Sequence, residues 1–254
     1  MHNTPGDVGS YGLLYQWGRK DPFPAAPTLT GTTATVGAPI YDGDNNEIKI
    51  TNSSQSSTAD NNLAFAIANP TVCLSNYAQF NTSRDWLQAD MSNDALWGNP
   101  KGAERNETND FLNKGAKSFY DPCPVGWRVP PADVFRNFTA SGGYAWVIDD
   151  FDIADISGDG AKSLADYDYG WTFNLSDSAS SYFPAAARFD GSYAMLMGSM
   201  SGLWGSYWGN APYPGDMFQG GAYSVLSFQI KDTAGNEMIT TSPAGGGARA
   251  DAYS

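Results

Sequence analysis

The stretch Tyr120-Asp-Pro-Cys-Pro-Val-Gly-Trp-Arg-Val-Pro-Pro131 decides how the rest of the chain is read. Prolines at 122, 124, 130 and 131 fix φ, and Gly126 is the single permissive joint, which rules out a regular helix or a central strand. Pro122 and Pro124 push Asp121 and Cys123 toward extended backbone, and Trp127 carries a large apolar surface that favours burial. The stretch therefore reads as a rigid, packed connector with Trp127 in the core. Beyond it, Pro131 fits the first position of a helix, and Val134, Phe135 and Phe138 fall on one face of that helix.

Composition sets the broad class. A chain of 254 residues with 41% hydrophobic content can bury a core, as one large domain or two small ones. Eight Trp, fourteen Tyr and thirteen Phe beside 28 Gly and 15 Pro predict a loop-rich globular protein pinned by large side chains. The balance of 14 basic against 27 acidic residues, net −13, repels phosphate backbones and anionic lipid, so no nucleic-acid partner is expected. His2 is the only histidine. Its terminal place denies any interior site the usual general base and the commonest metal ligand, against a zinc centre, a Ser-His-Asp triad or a Cys-His dyad.

Cys73 and Cys123 fit either one disulfide, worth about 4 kcal/mol by chain entropy, or two buried free thiols. No secretory leader is visible, and no apolar run approaches the ~18 residues of a membrane span. The expectation is no membrane insertion of this chain, with any export signal encoded upstream.

Taken in order, Leu13, Leu14, Tyr15 and Trp17 between Gly12 and Gly18 read as a buried strand or single turn. A Thr, Ser, Asn and Gly-rich segment at about 28–62 reads as a surface insertion. Within it the Asp42–Asn46 turn between Ile40-Tyr41 and Ile48-Lys49-Ile50 predicts a hairpin. Glu47 stands where a calcium loop needs its glycine, so that turn is not read as a metal site. A short helix is expected over Asp60–Ala68, stopped by Asn69-Pro70. Ser141–Gly143 ends the helix after the connector, and Tyr144–Ile148 reads as a strand. Asp149–Gly160 holds five acids and two glycines; its spacing fits no standard calcium loop, and it reads as a solvated turn. Ala222–Ile230 alternates as a strand, turned back by Asp232–Asn236.

The connector resembles the signature of the Fibrobacter succinogenes major paralogous domain family, found in surface proteins of gut Bacteroidetes. Other stretches are similar to the same family: Gly12-Leu-Leu-Tyr-Gln-Trp-Gly-Arg19, Asn69-Pro70-Thr71, Asp85-Trp86-Leu87, Leu96-Trp97-Gly98, Tyr182-Phe-Pro-Ala-Ala-Ala-Arg188 and Gly205-Ser-Tyr-Trp208. Departures occur at Cys73, where an aromatic is usual, and at Ala187, which replaces a Gly-Tyr pair. The resemblance implies an α+β, C-type-lectin-like domain over 1–254, with short helices around small twisted antiparallel sheets. It implies terminal strands that are trimmed, the last of them at the approach to the family's Arg-Cys, so that Cys123 is left unpaired. It also relates the fold to formylglycine-generating enzymes; yet Cys73 and Cys123 lack an adjacent basic residue or helix start that would make a reactive thiolate, and no enzyme is expected.

What remains is recognition. Lectin-like folds carry ligand contacts on loops, where Trp and Tyr rings pack on sugar faces and Asp and Asn take hydroxyl hydrogen bonds. Trp204, Tyr207, Trp208, Asn210, Tyr213 and Asp216 are the candidate ligand-binding residues, with no catalytic residue, metal or cofactor expected. The partner is a glycan or protein on a cell surface, and the protein an exported adhesin. Two alternatives stand beside it: a fimbria-associated subunit assembled by strand complementation, and a variable binding protein diversified by a retroelement. Asp177-Ser178-Ala179 and Asp232-Thr233-Ala234 resemble the motif that receives O-glycans in exported Bacteroidetes proteins.

Overall fold

Leu13–Gln16 forms the first strand, with Leu14 and Gln16 turned inward and Leu13 left 46% exposed. The computed structural model describes residues 8–24, 40–41, 47–48, 62–70, 72–74, 86, 96–98, 116–130, 138, 148–190, 195–196, 202–212, 221–229, 245–248 and 252–253. In chain order the strands are β1 (Leu13–Gln16), β2 (Pro22–Pro24), β3 (Ile40–Tyr41), β4 (Glu47–Ile48), β5 (Gly170–Ser176), β6 (Ala179–Pro184), β7 (Phe189–Asp190), β8 (Met195–Leu196), β9 (Trp204–Pro212), β10 (Gly221–Gln229), β11 (Gly245–Ala248) and β12 (Ala252–Tyr253). One α-helix, α1 (Asn62–Ala68), and short 3-10 turns join them, so these residues are α+β with small antiparallel sheets.

The largest sheet runs β2-β1-β12-β7-β8, and it brings residues from both ends of the sequence together: Tyr15 faces Tyr253 and Gln16 faces Ala252. A second sheet is β11-β10-β9, in which the expected strand at 222–230 is central. The hairpin predicted around Asp42–Asn46 is present, Ile40 opposite Ile48. β7 pairs antiparallel with β8, Phe189 opposite Leu196 and Asp190 opposite Met195. The β5–β6 hairpin, turned by Asp177-Ser178, was not expected from the sequence.

Helix α1, described from Asn62 on, stops where predicted. The Asn69 backbone N–H and its side-chain Nδ2 both donate to the Phe65 carbonyl at 2.9 Å, and Pro70 cannot continue the ladder. The carbonyls left open at this helix end meet Arg19, which is only 2% exposed. Its Nη1 donates to Gln16 Oε1 (3.0 Å) and the Val72 carbonyl (2.6 Å), and its Nη2 to the carbonyls of Ala66 (3.3 Å), Asn69 (3.4 Å) and Pro70 (3.2 Å). Gln16, wholly buried, ties the same region through both ends of its amide: Nε2 donates to the Leu74 carbonyl and Oε1 accepts the Leu74 N–H. Cys73, beside it, is a fully buried thiol.

Four tryptophans enclose this first strand. Trp208 Nε1 donates to the Tyr15 carbonyl (2.7 Å), Trp86 Nε1 to the Trp17 carbonyl (2.8 Å) and Trp97 Nε1 to the Arg19 carbonyl (3.2 Å), while Trp17 Nε1 reaches the Gly209 carbonyl (3.0 Å). Each indole thus keeps its polar atom satisfied while burying its rings, the condition for placing Trp in a core. Around them pack Ala66, Leu74, Leu96 and Val129.

The connector meets this core through Val129, 6% exposed, and is held by Asp121, 1% exposed. Asp121 Oδ1 accepts the Cys123 N–H (2.9 Å) and the Lys117 ammonium (2.8 Å), and Oδ2 accepts the Val129 N–H (3.1 Å). One carboxylate therefore closes both ends of a turn in which the Trp127 N–H donates to the Pro124 carbonyl and Gly126 takes φ +88. The connector is tied at both ends through Asp121, but most of its residues are not packed into the core as expected. Its tryptophan, however, is not in the core: Trp127 is 74% exposed, because the turn closed by Asp121 carries it outward with Val125.

A second core lies under the β5–β6 hairpin. Phe138 stacks on Phe173 (centroids 4.8 Å apart) and meets Phe183 edge-on, and Phe183 in turn meets Tyr207. Of the helix expected from Pro131 up to Ser141, only Phe138 is among the described residues, and most of the strand expected at 144–148 lies outside them; Ile148 opens a 3-10 turn, Ile148–Asp150. The Asp232–Asn236 turn also lies outside them.

Candidate functional site

The Phe-Pro-Ala-Ala-Ala-Arg segment after β6 is laced to the start of β9. The Ala185 N–H donates to the Tyr169 carbonyl, Gly202 N–H to the Ala185 carbonyl and Ala187 N–H to the Trp204 carbonyl, each at 2.8 Å. Ala187 is held at φ +64, a conformation that costs an L-residue about 1 kcal/mol. The result is to set the Arg188 guanidinium over the Trp204 ring, 4.6 Å from its centroid. Both side chains are half-buried. Arg188 was not singled out from the sequence; its place follows from pairing between segments distant in the chain.

The other candidates fall elsewhere. Tyr207 is half-buried, and its hydroxyl donates to the Pro184 carbonyl (2.6 Å); burial and the neighbouring Tyr182 and Tyr167 push that hydroxyl well above the usual tyrosine range. Trp208 (3% exposed) and Asn210 (1%) are buried, with the Asn210 N–H donating to the Pro130 carbonyl, so these two brace the scaffold. Tyr213 and Asp216 lie outside the described residues. Trp204 opens β9 and Pro212 closes it, so roughly 25 Å of extended strand separates Trp204 from the residue before Tyr213. Of the four described candidates, Trp208 and Asn210 are thus buried and Trp204 and Tyr207 half-buried, with Trp204 next to Arg188.

A different aromatic surface stands out on the connector, where Phe119 (77% exposed), Val125 (97%) and Trp127 (74%) face solvent. The Lys20 ammonium lies 4.6 Å from the Phe119 ring centroid. The signal was in the sequence: Pro-Val-Gly-Trp is a turn, and a turn points its central side chains outward.

Cys123 is free and half-buried. Burial and then Asp121 push its thiol up to about 11, against the smaller opposing pull of Lys117. At pH 8 the thiolate fraction is then about a hundredfold below that of an ordinary cysteine. Iodoacetamide should accordingly alkylate native Cys123 about a hundredfold more slowly than the same residue in urea, as intact mass against time will read; equal rates would show that the thiol is not held this way.

The acidic stretch after Ile148 is paired as well as exposed. Ile153 bridges Phe173, with the Ala154 N–H donating to the Thr172 carbonyl and the Asn174 N–H to the Asp152 carbonyl. Asp155 accepts from the N–H groups of Gly158 (2.6 Å) and Gly160 (2.9 Å), and Asp159 from that of Ala161 (2.8 Å). Asp166 is wholly buried and accepts from the N–H groups of Ser157 (3.0 Å) and Ser163 (2.9 Å). Those two bonds hold its carboxyl below the usual range. Among the described residues no group of three or more His, Cys, Asp or Glu is gathered as a metal-holding set, and no helix is long and apolar enough to cross a membrane. No protein family, curated protein or solved structure matches the chain.

Proposed function

We propose that this chain is a non-catalytic recognition domain of C-type-lectin-like architecture, displayed at a cell surface, that binds a glycan through a half-buried aromatic side chain beside a guanidinium. The observation that carries the reading is the Arg188–Trp204 pair, an indole and a guanidinium held together by the lacing of two backbone segments. An indole offers apolar contact to the C–H face of a sugar, and guanidinium N–H groups donate to hydroxyl or carboxylate oxygens. The position of both on braced backbone limits the entropy lost on binding.

A glycan array on the purified chain tests this. Trp204→Ala is expected to weaken the best glycan about tenfold, or about 1.4 kcal/mol, at unchanged thermal midpoint. Absence of any glycan binding, or an unaltered affinity in the variant, would sink the proposal.

A second reading, a subunit joined to its neighbours by strand exchange, draws support from the largest sheet. Among the described residues, β12 pairs with Tyr15 and Gln16 of β1, whereas β2 covers Leu13, Leu14 and Tyr15 on the other side. Strand exchange predicts concentration-dependent oligomers by light scattering; a monomer at all concentrations would exclude it.

A further inference from the structure

Among the described residues, positive φ at a residue other than glycine occurs at Ala187 (φ +64) and at Tyr169 (φ +51). A bulky L-residue in this region is an outlier that persists only where the surrounding structure over-determines it, and such residues gather at binding and active sites. Glycine would take the same backbone shape without strain. What tyrosine adds at position 169 is its ring, which is 40% exposed.

Three hydrogen bonds fix the turn that carries this ring. The Tyr182 hydroxyl donates to the Asp168 carbonyl (2.8 Å), the Asp168 N–H to the Gly170 carbonyl (3.2 Å) and the Ala185 N–H to the Tyr169 carbonyl (2.8 Å). The last of these belongs to the lacing that sets Arg188 over Trp204, in which the Gly202 N–H returns to the Ala185 carbonyl. Gly202 is also where the tyrosine ring rests, since a Cβ added there would lie 2.7 Å from Tyr169 Cδ1. A side chain at 202 would push the ring away; glycine lets it lie against backbone while part of it stays open to solvent. Trp204 follows two residues on, at most about 7 Å along the backbone. The two outliers thus serve one assembly, Ala187 placing the indole–guanidinium pair and Tyr169 placing a phenol beside it.

We propose that Tyr169 is a second stacking platform of this site, which therefore takes an oligosaccharide of two or more sugars, one on Trp204 beside Arg188 and the next on Tyr169. The inference rests on the reading of the Arg188–Trp204 pair as a glycan site. A phenol offers its ring to the C–H groups of a sugar and a hydroxyl that donates or accepts a hydrogen bond. Two platforms held on hydrogen-bonded backbone take adjoining sugars with little further loss of freedom, so affinity climbs with glycan length until both are covered.

An array printed with cello-, chito-, xylo- and galacturono-oligosaccharides, each from one sugar to six, reads binding against length. Affinity should rise about tenfold from one sugar to two or three and then level off. Tyr169→Gly is expected to remove that rise, so that longer glycans bind no better than a single sugar, at an unchanged thermal midpoint, because the backbone strain leaves with the ring. Tyr169→Phe keeps the ring and should keep the rise. A tyrosine that serves only to cover Gly202 would give the opposite pattern in the glycine variant, a lower midpoint and an intact length dependence. Binding that is lost in Trp204→Ala but is flat with length, or indifferent to Tyr169→Gly, would overturn the second platform and leave the first reading standing. Absence of binding at every length would overturn both.

Discussion

Replacing Arg19 with methionine is expected to lower the unfolding free energy by about 4 kcal/mol. The guanidinium is 2% exposed and donates to four main-chain carbonyls and to Gln16. Removing it strands those acceptors in a dry setting, and three of them, at Ala66, Asn69 and Pro70, belong to the end of α1 and the turn after it. Methionine keeps much of the volume, so the loss reports the donors more than the packing. Burial lowers the basicity of this guanidinium, but an arginine stays charged throughout the working pH range. Lysine restores charge without the planar fork and should recover no more than about half of the loss. Urea denaturation at pH 7 reads both variants; a loss below about 1 kcal/mol in the methionine variant would mean that water or neighbouring groups satisfy the carbonyls.

Asp121→Ala carries the second large effect, about 3 kcal/mol. The backbone N–H groups of Cys123 and Val129 lose their shared acceptor, and the turn that carries Val125 and Trp127 loses its closure. The contribution divides unequally between the hydrogen bonds and the ion pair. Lys117 is 31% exposed, so its attraction is screened, and Lys117→Met should cost only about 1 kcal/mol. A result in the opposite order, with the lysine variant the weaker of the two, would assign the connector's rigidity to charge. Limited proteolysis gives an independent view: cleavage in the Cys123–Arg128 turn should accelerate in the aspartate variant and hardly change in the lysine one.

Local chemistry was legible where one side chain or one turn decides the outcome. Asn69-Pro70 stopped α1, Ile40 and Ile48 paired across their polar turn, and the alternating 222–230 run became the middle strand of its sheet. Trp127 shows the limit of the same logic. Its hydrophobicity argued for the core, whereas the Pro-Val-Gly-Trp turn, closed through Asp121, outweighed that preference and turned it to solvent. The candidate site divides differently: of its four described residues, Trp208 and Asn210 are buried in the scaffold while Trp204 and Tyr207 are half-buried, because what packs on β9, and not nearness in sequence, decides which side chains it covers.

The sequence by itself determined the class of protein: acidic, aromatic and loop-rich, with one histidine at its edge and proline-stiffened at Tyr120–Pro131. These are properties of composition and of short-range backbone restriction, which need no partner across space. Only the tertiary structure decided that Tyr15–Arg19, and not the connector, is the hub, because its carbonyls take the indole N–H groups of Trp208, Trp86 and Trp97 from three distant stretches. An indole announces that it needs an acceptor, but which carbonyl it finds depends on how the whole chain closes around it.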